Sequence, residues 1–262
     1  MELGIAGRRA IVTGGSKGLG LAIAEELVRE AVHVAICSRS DEEVREAGER
    51  LRAVAGDDVT VYAARADVTR ADDVRAFVAA AAEALGGIDF LVNNAGRARP
   101  GTFATLTDED WEADLGVKLF SSIRMSREVL PHLRAAGGGR IVNIGAIQAR
   151  APDPAFFATS VNRAASASFT KTLALELAPE NILVNAVNIG FVVTPQWENI
   201  HRRRAPELSA DEFFARMSSD VPLGRFGEPE EVAGVVVFLL GARASYVTGA
   251  SIDVAGGMGR YV

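Results

Sequence analysis

The segment Thr13-Gly14-Gly15-Ser16-Lys17-Gly18-Leu19-Gly20 joins an apolar run to an amphipathic one near the start of the chain. The run Ala10–Thr13 predicts a buried strand, and the apolar spacing that begins at Leu19 predicts a helix. Glycines at 14, 18 and 20 permit a sharp turn in which backbone N–H groups approach a pyrophosphate at the positive end of the helix. Three glycines also occur in ordinary strand-to-helix turns, but the flanking strand and helix favour a dinucleotide-binding loop.

The composition is that of an acidic globular protein. The 262 residues carry a net charge of −6, and 48% of them are hydrophobic and 24% charged. This length suits one large α/β core, so we predict a single domain over residues 1–262. The acidic balance argues against a nucleic-acid partner, because nucleic-acid-binding domains usually carry a basic surface.

Several features of the sequence are typical of a cytoplasmic protein. No apolar signal segment is visible, and the most apolar run, Val232–Leu240, is too short to cross a bilayer, so no membrane partner is expected. Cys37 is the single cysteine, which excludes an intrachain disulfide and fits a reducing compartment. The three histidines have no metal-ligand spacing, and no metal site is predicted.

Strand-like and helix-like segments alternate along the chain. The predicted strands are Ala10–Thr13, His33–Cys37, Val59–Ala63, Phe90–Asn93, Arg140–Ile144, Leu183–Val187 and Ser251–Val254. The predicted helices are Leu19–Glu30, Glu42–Ala55, Ala71–Leu85, Asp108–Leu133, Ala158–Leu177 and Pro229–Leu240. This alternation predicts an α/β, Rossmann-type, doubly wound parallel sheet of about seven strands flanked by helices. The polar segment 195–220 breaks the alternation at the ligand-binding edge, where it is either a substrate lid or a solvated helical excursion.

Motifs over nearly the whole chain resemble those of the short-chain dehydrogenase/reductase family. In family order they are the glycine loop, Asp67-Val68, Asn93-Asn94-Ala95-Gly96, Phe169–Leu177, Asn181–Val187, Gly227–Ala233 and Asp253–Gly257. The resemblance implies an oxidoreductase of classical length that binds a nicotinamide dinucleotide and assembles as a homo-oligomer, a tetramer. It assigns cofactor contacts to Gly14, Ser16, Lys17, Gly18, Leu19, Gly20, Ser38, Arg39, Asp67, Val68, Asn94, Ala95, Gly96, Val117, Arg163, Gly190, Val192 and Thr194.

The charges that follow the second strand favour NADP(H) over NAD(H). Members of the family that prefer NAD usually end this strand with an Asp, which binds the ribose hydroxyls. Here Ser38 is followed by Arg39, so no carboxylate repels a 2′-phosphate and a guanidinium is placed to bind one. Lys17 adds a second cation near this phosphate, although either cation is also compatible with an ordinary surface residue.

The four catalytic positions of the family all carry other residues in this chain. The family uses a Tyr-x-x-x-Lys pair on the central helix, a Ser at the end of the preceding strand and an Asn on the helix before it. Counting from neighbouring motifs places Thr159, Arg163, Ala146 and Lys118 at these positions. No tyrosine of the chain lies near this helix in sequence; the three are Tyr62, Tyr246 and Tyr261.

These replacements change the chemistry that the resemblance implies. A threonine hydroxyl has no useful acidity near neutral pH, so Thr159 is a poor replacement for a phenol. Arg163 can bind a nicotinamide ribose but stays charged and cannot relay a proton. Lys118 is the new titratable group: with a pKa lowered by burial or by Arg163 it could act as an acid, or it could point to solvent or fix a loop. Lys118, Thr159 and Arg163 are therefore the candidate catalytic residues.

Two classes of function follow from these observations. The first is an atypical NADP(H)-dependent oxidoreductase that reduces a carbonyl, imine or activated alkene. The second is a cofactor-binding non-redox enzyme or a catalytically inactive NADP(H)-sensing protein. Arg97, Arg99 and Arg150 follow motifs at the same cleft and together would suit an anionic small-molecule substrate, whereas singly each is typical of a solvated surface.

Overall fold

The computed structural model describes residues 2–259, in which seven β-strands alternate with nine α-helices. The strands are β1 (Arg9–Thr13), β2 (His33–Ser38), β3 (Val61–Arg65), β4 (Phe90–Asn93), β5 (Gly139–Ala146), β6 (Ile182–Ile189) and β7 (Ser251–Val254). The helices are α1 (Gly18–Arg29), α2 (Asp41–Val54), α3 (Ala71–Leu85), α4 (Asp108–Leu115), α5 (Ser121–Ala135), α6 (Phe157–Leu177), α7 (Pro195–Arg204), α8 (Ala210–Met217) and α9 (Pro229–Leu240).

The strands form one parallel sheet with the order β3-β2-β1-β4-β5-β6-β7. The chain moves outward from β1 to β3 and then returns to add β4 on the other side of β1. This reversal opens a crevice at the carboxyl ends of β1 and β4, which is where open α/β sheets bind ligands. The predicted doubly wound parallel sheet is confirmed.

Both faces of the sheet are buried. Val12 and Ile36 belong to a core cluster with α1, α2 and α9, whereas Ile11 and Cys37 belong to a second cluster with α3, α5 and α6. Alternate residues of one strand point to opposite faces, so a strand covered on both sides needs apolar residues throughout. This explains the continuous apolar runs that revealed the strands. Burial also raises the pKa of the Cys37 thiol to about 12, which leaves it unreactive near neutral pH.

The predicted helix Asp108–Leu133 is wrong in one respect that matters for the site. It consists of α4 and α5 joined by a π-helical turn, Gly116–Phe120, which contains Lys118. Such a turn holds an extra residue per turn and rotates the side chains that follow it, and it occurs frequently at functional sites. The periodicity of the sequence does not reveal it, because the apolar spacing on either side stays close to helical.

The segment 195–220 is helical and is fixed by aromatic side chains. It contains α7, α8 and the short turn Ser218–Asp220. The rings of Trp197 and Phe214 pack against Phe226 at centroid distances of 5.1 and 4.9 Å, and Phe191 packs against Trp197 at 4.8 Å. This packing attaches the segment to the end of β6 and to the loop before α9.

None of the helices within residues 2–259 is both long and apolar enough to cross a membrane. No cluster of three or more His, Cys, Asp or Glu side chains suited to a metal ion occurs in the same residues. Tyr246 is fully exposed, and Tyr261 lies outside the described residues.

Candidate active site

The loop between β1 and α1 is shaped to leave room at the start of the helix. Gly14 and Gly18 have φ values of 64° and 54°, in the left-handed region that favours glycine. A Cβ at Gly20 would lie 2.2 Å from the carbonyl oxygen of Gly14. No side chain caps the first turn of α1, so its backbone N–H groups are available to an anion. The loop therefore fits the pyrophosphate of a dinucleotide.

Asn94 and Thr13 fix this loop against the end of β4. The Oγ1 of Thr13 accepts hydrogen bonds from the backbone N–H groups of Asn94 and Ala95, each at 3.0 Å. The Nδ2 of Asn94 donates to the carbonyl oxygens of Thr13 and Gly14, at 2.9 and 3.1 Å. The side chain of Asn94 thus holds the glycine loop in shape.

Positive charge gathers at the carboxyl ends of β2 and β3. Ser38 ends β2, Arg39 follows it with an exposed side chain, and Arg65 ends β3 opposite Ser38. The Nε of Arg65 donates to the carbonyl oxygen of Arg39 at 3.1 Å. Burial tends to raise the pKa of Asp67, but hydrogen bonds from Thr69 and the charge of Arg39 outweigh it and lower that pKa. The sequence does not reveal the role of Arg65, because only the register of β3 brings it beside Ser38.

Lys17 has an acidic partner, Glu43, that the sequence does not reveal. Its Nζ lies 2.8 Å from Oε1 of Glu43 in the first turn of α2, and Ser16 contacts the same carboxylate. Both partners of the ion pair are exposed. Lys17 thus stands beside the crevice already paired with a carboxylate.

Several of the predicted cofactor residues have no side chain free to contact a ligand. Leu19, Val68 and Val192 bury their side chains in the two core clusters. A Cβ at Gly190 would lie 2.9 Å from Ala255, so this turn passes too close to its neighbour for a side chain. Val117 lies in the π turn directly before Lys118.

The start of α7 closes one side of the crevice. Thr194 is the residue before the helix, and a Cβ at Gly18 would lie 3.3 Å from Pro195. The side chain of Gln196 accepts a hydrogen bond of 3.0 Å from the backbone N–H of Ala98, in the loop after β4. The helix therefore contacts both the glycine loop and the loop that follows Asn94.

The three candidate catalytic residues lie together at the carboxyl end of β5. The Nζ of Lys118 donates to Oγ1 of Thr159 at 2.7 Å and to Oδ1 of Asp114 at 2.5 Å. The side chains of Lys118 and Asp114 are each 1% exposed, so Lys118 does not point to solvent. The second oxygen of Asp114 accepts from Nδ2 of Asn162 at 2.9 Å. Asp114 and Asn162 were missed, because neither belongs to a recognisable motif.

Arg163 reaches the same place from the next turn of α6. Its Nη1 donates to the carbonyl oxygen of Ile144 at 2.6 Å. Its Nη2 lies close to Gly96, since a Cβ at that glycine would be 3.1 Å from it. Its Nε is buried and has no hydrogen-bond partner among residues 2–259. A buried donor without a partner is unfavourable, which indicates that a ligand or water accepts this hydrogen bond.

The electrostatics of the group favour a lysine that can release a proton. Burial and the neighbouring charge of Arg163 lower the pKa of Lys118 to about 8, although Asp114 acts in the opposite direction. Burial lowers the pKa of Arg163 to about 10, so the guanidinium stays charged near neutral pH. Ala146, at the end of β5, offers no hydroxyl to this group.

The arginines expected to hold an anionic substrate have separate surroundings. Arg99 forms an ion pair with Asp110, and Arg150 lies 3.1 Å from Asp253. Arg97 is exposed and makes no ion pair or side-chain hydrogen bond within residues 2–259. Two of the three guanidinium groups are therefore engaged by carboxylates of the chain itself.

Comparison with known proteins identifies the family. The model of a family described as enoyl-(acyl carrier protein) reductase matches residues 14–259. The chain belongs to the short-chain dehydrogenase/reductase family. A 3-oxoacyl-(acyl-carrier-protein) reductase of Aquifex aeolicus is 36% identical to it over 263 residues, which cover 98% of this chain and 100% of that protein.

Solved structures of this family superpose closely. The apo structure of a short-chain oxidoreductase from Pseudomonas aeruginosa PAO1, described as containing an atypical catalytic center, has a TM-score of 0.92 and 38% identity. It covers 98% of this chain and 99% of its own. An L-sorbose reductase from Gluconobacter frateurii, complexed with NADPH and L-sorbose, has a TM-score of 0.96 and 34% identity over the full length of both chains. These relatives are oxidoreductases.

Proposed function

We propose that the protein is an NADP(H)-dependent oxidoreductase that reduces a carbonyl, imine or activated alkene and uses Lys118 as the proton donor. The observation that carries this proposal is the contact between Lys118 Nζ and Thr159 Oγ1, 2.7 Å apart at the carboxyl edge of the sheet. It sets a titratable ammonium beside Thr159, which occupies the position at which the resemblance expects a phenol. NADPH supplies the hydride when it is bound.

The cofactor preference rests on the charges at the ends of β2 and β3. Arg39 offers a guanidinium group for a 2′-phosphate, and Arg65, which also lies 3.7 Å from Oδ2 of Asp41, adds a second one beside it. The glycine loop leaves space for the pyrophosphate, and the buried Nε of Arg163 lacks an acceptor. NADPH complexes of similar chains support the same choice.

Lys118 would protonate the substrate atom that gains electron density during reduction. Near neutral pH its ammonium is charged, and a pKa of about 8 makes it a far better acid than an ordinary lysine. The fixed charge of Arg163 adds stabilisation for a developing anion in a water-poor site. The similarity to an oxidoreductase described as having an atypical catalytic center agrees with such an arrangement.

The replaced residues favour substrates that need little acid assistance. Ala146 cannot orient a carbonyl through a hydrogen bond, and Thr159 is not an acid near neutral pH. An iminium ion or an activated enone accepts hydride with less help from a proton donor than a ketone does. Arg97, exposed in the loop after β4, would favour an anionic group on the substrate.

We further propose a substrate lid, a tetramer and a cytoplasmic location. The α7–α8 segment bridges the glycine loop and the loop after β4, as a lid would. The outer face of α6 exposes Val161 and Leu175, and pairing with a second copy would bury this apolar surface. The single buried cysteine agrees with a reducing compartment.

One observation favours the alternative of an NADP(H)-binding protein without turnover. Lys118 is the largest side chain among the fully buried ones, and its ammonium already has two hydrogen-bond partners. A lysine held in this way can also serve only to connect the π turn with α6.

A hydride-transfer screen distinguishes the two functions. NADPH oxidation is followed with a panel of carbonyl, imine and enone compounds, and NADPH binding is measured separately by calorimetry. The oxidoreductase is supported if the wild type turns over any of these classes of compound and Lys118→Met abolishes that turnover. Tight NADPH binding without turnover across the panel supports the sensing protein.

A further inference from the structure

We propose that Asp114 is a positioning residue that, together with Asn162, holds the ammonium of Lys118 against the hydroxyl of Thr159. This inference rests on the proposed function in so far as it concerns proton donation. The placement of the ammonium is itself measurable without any turnover.

Both carboxylate oxygens of Asp114 have a dedicated partner. Oδ1 accepts from Lys118 at 2.5 Å and Oδ2 accepts from Asn162 at 2.9 Å, and the carboxylate is 1% exposed. A buried carboxylate without partners is strongly unfavourable, so its presence requires both contacts. Asn162 reaches it from α6, on the same helix as Thr159.

The backbone of Lys118 is fixed separately from its ammonium. The carbonyl oxygen of Lys118 accepts hydrogen bonds from Ser122 at 3.3 Å and from Ser166 at 3.5 Å, one from α5 and one from α6. Between these two ends lies a flexible four-carbon stem with many rotamers. A partner for the ammonium is therefore needed to hold it at one point.

The charges around the ammonium explain why that partner is a carboxylate. Arg163 on α6 and Arg99 in the loop after β4 both act on Lys118 and oppose its charge. Asp114 on α4 is the acidic group that acts on Lys118, and it favours the charged form. Without it, repulsion from the two arginines would favour loss of the proton, and the neutral amine would have only Thr159 to hold it in place. Because Asp114 weakens Lys118 as an acid, its contribution to the reaction is placement.

The small number of lysines makes the test direct. The chain contains Lys17, Lys118 and Lys171 only, so protein labelled with carbon-13 at lysine Cε gives three resonances. Lys118→Met, Lys17→Arg and Lys171→Arg assign them. In Asp114→Asn the titration midpoint of the Lys118 resonance should fall by about one pH unit or more, because an opposite charge has been removed.

A matched control removes the carboxylate from another ion pair whose two partners lie four residues apart in the chain. Glu49→Gln breaks the exposed pair between Glu49 and Arg45 on α2 and should leave the Lys118 resonance unchanged. The double variant Asp114→Asn with Asn162→Asp moves the carboxylate to the neighbouring side chain at constant net charge. This double variant should restore most of the titration midpoint of Lys118, and it should restore the kcat that Asp114→Asn alone loses. NADPH affinity should be the same in Asp114→Asn, in Glu49→Gln and in the double variant.

An unchanged midpoint and an unchanged pH profile of kcat in Asp114→Asn would overturn the proposal. Should that variant fail to fold, the wild type provides the test through nitrogen-15 spectra of the Lys118 ammonium at pH 6. A slowly exchanging ammonium with cross-relaxation to the β-protons of Asp114 supports the placement, and rapid exchange with solvent refutes it. Retained turnover in Lys118→Met would instead contradict the proposed function, and it would leave these resonance measurements unaffected.

Discussion

Lys118 on the π turn and Thr159 on α6 share a hydrogen bond of 2.7 Å between Nζ and Oγ1. The bond joins two residues that lie 41 positions apart in the chain and places a cation at the carboxyl edge of β5. Thr159 is the acceptor here, so the mobile proton belongs to the lysine. The chemistry of the site therefore depends on the environment of one amine.

Lys118→Met should lower kcat by about 10²- to 10⁴-fold, the usual contribution of a general acid, with little change in NADPH affinity. Thr159→Val should lower kcat by less than about tenfold, because it removes one neutral hydrogen bond to the donor. Steady-state kinetics and calorimetry on the same preparations measure both effects.

Folding needs its own control in this comparison. Lys118→Met leaves Asp114 buried without its cation, at a cost of about 3–5 kcal/mol in the free energy of unfolding. Lys118→Met combined with Asp114→Asn relieves that cost and should stay inactive. Full activity in this double variant would exclude Lys118 and leave water or the substrate as the source of the proton.

The reduction rate should fall as the pH rises through about 8. The Lys118 pKa is lowered to about 8 by burial and by Arg163, and only the protonated ammonium can donate. The value of kcat is thus expected to be constant below pH 7 and to decline tenfold per pH unit above pH 9. A rate that stays constant up to pH 10 would be incompatible with Lys118 as the donor.

The fold could be predicted from the sequence because it depends on local patterns. The apolar strand of Phe90–Asn93 and the amphipathic helix of Ala71–Leu85 each have the predicted bounds. The sequence does not decide the two helices within 195–220, since the aromatic residues that fix them, such as Trp197 and Phe226, meet only in the folded chain.

The site was predicted in part, for a similar reason. Counting along motifs locates Lys118 and Thr159, but it does not show the π turn that directs Lys118 inward. Nor does it show that Asp114 and Asn162 complete the group, because they belong to different helices and to no motif. Contacts between distant elements decide the pKa of Lys118, and the sequence does not contain their distances.

Arg39→Asp should weaken NADPH binding by about 1.5–3 kcal/mol, the scale of a lost hydrogen bond to a charged group. NADH lacks the 2′-phosphate, so its affinity should not fall. Calorimetry with both cofactors measures the difference, and Arg243→Asp, at another exposed arginine, controls for the change in net charge. Equal affinities of the wild type for NADPH and NADH would defeat the charge argument.

The wild type should be a tetramer in light scattering at micromolar concentration. Leu175 and Val161 on α6 are 69% and 48% exposed, so an Asp at either position places a charge in the expected helix-pairing surface. Val161→Asp should therefore lower the mass, whereas Val54→Asp, at a valine on α2 that is 45% exposed, should not. A monomeric wild type would refute the assembly.

Glu43→Gln should strengthen NADPH binding by about two- to fivefold. In the free protein Glu43 holds Lys17 at 2.8 Å, so a 2′-phosphate must compete with this carboxylate for the lysine and also meets its negative charge. The pair is exposed, which limits the gain to the usual range for surface ion pairs, below about 1 kcal/mol. Calorimetry measures the change, and Glu49→Gln on the same helix is the matched control. Weaker binding in Glu43→Gln would mean that the carboxylate itself contacts the cofactor, and unchanged binding would mean that Lys17 does not take part.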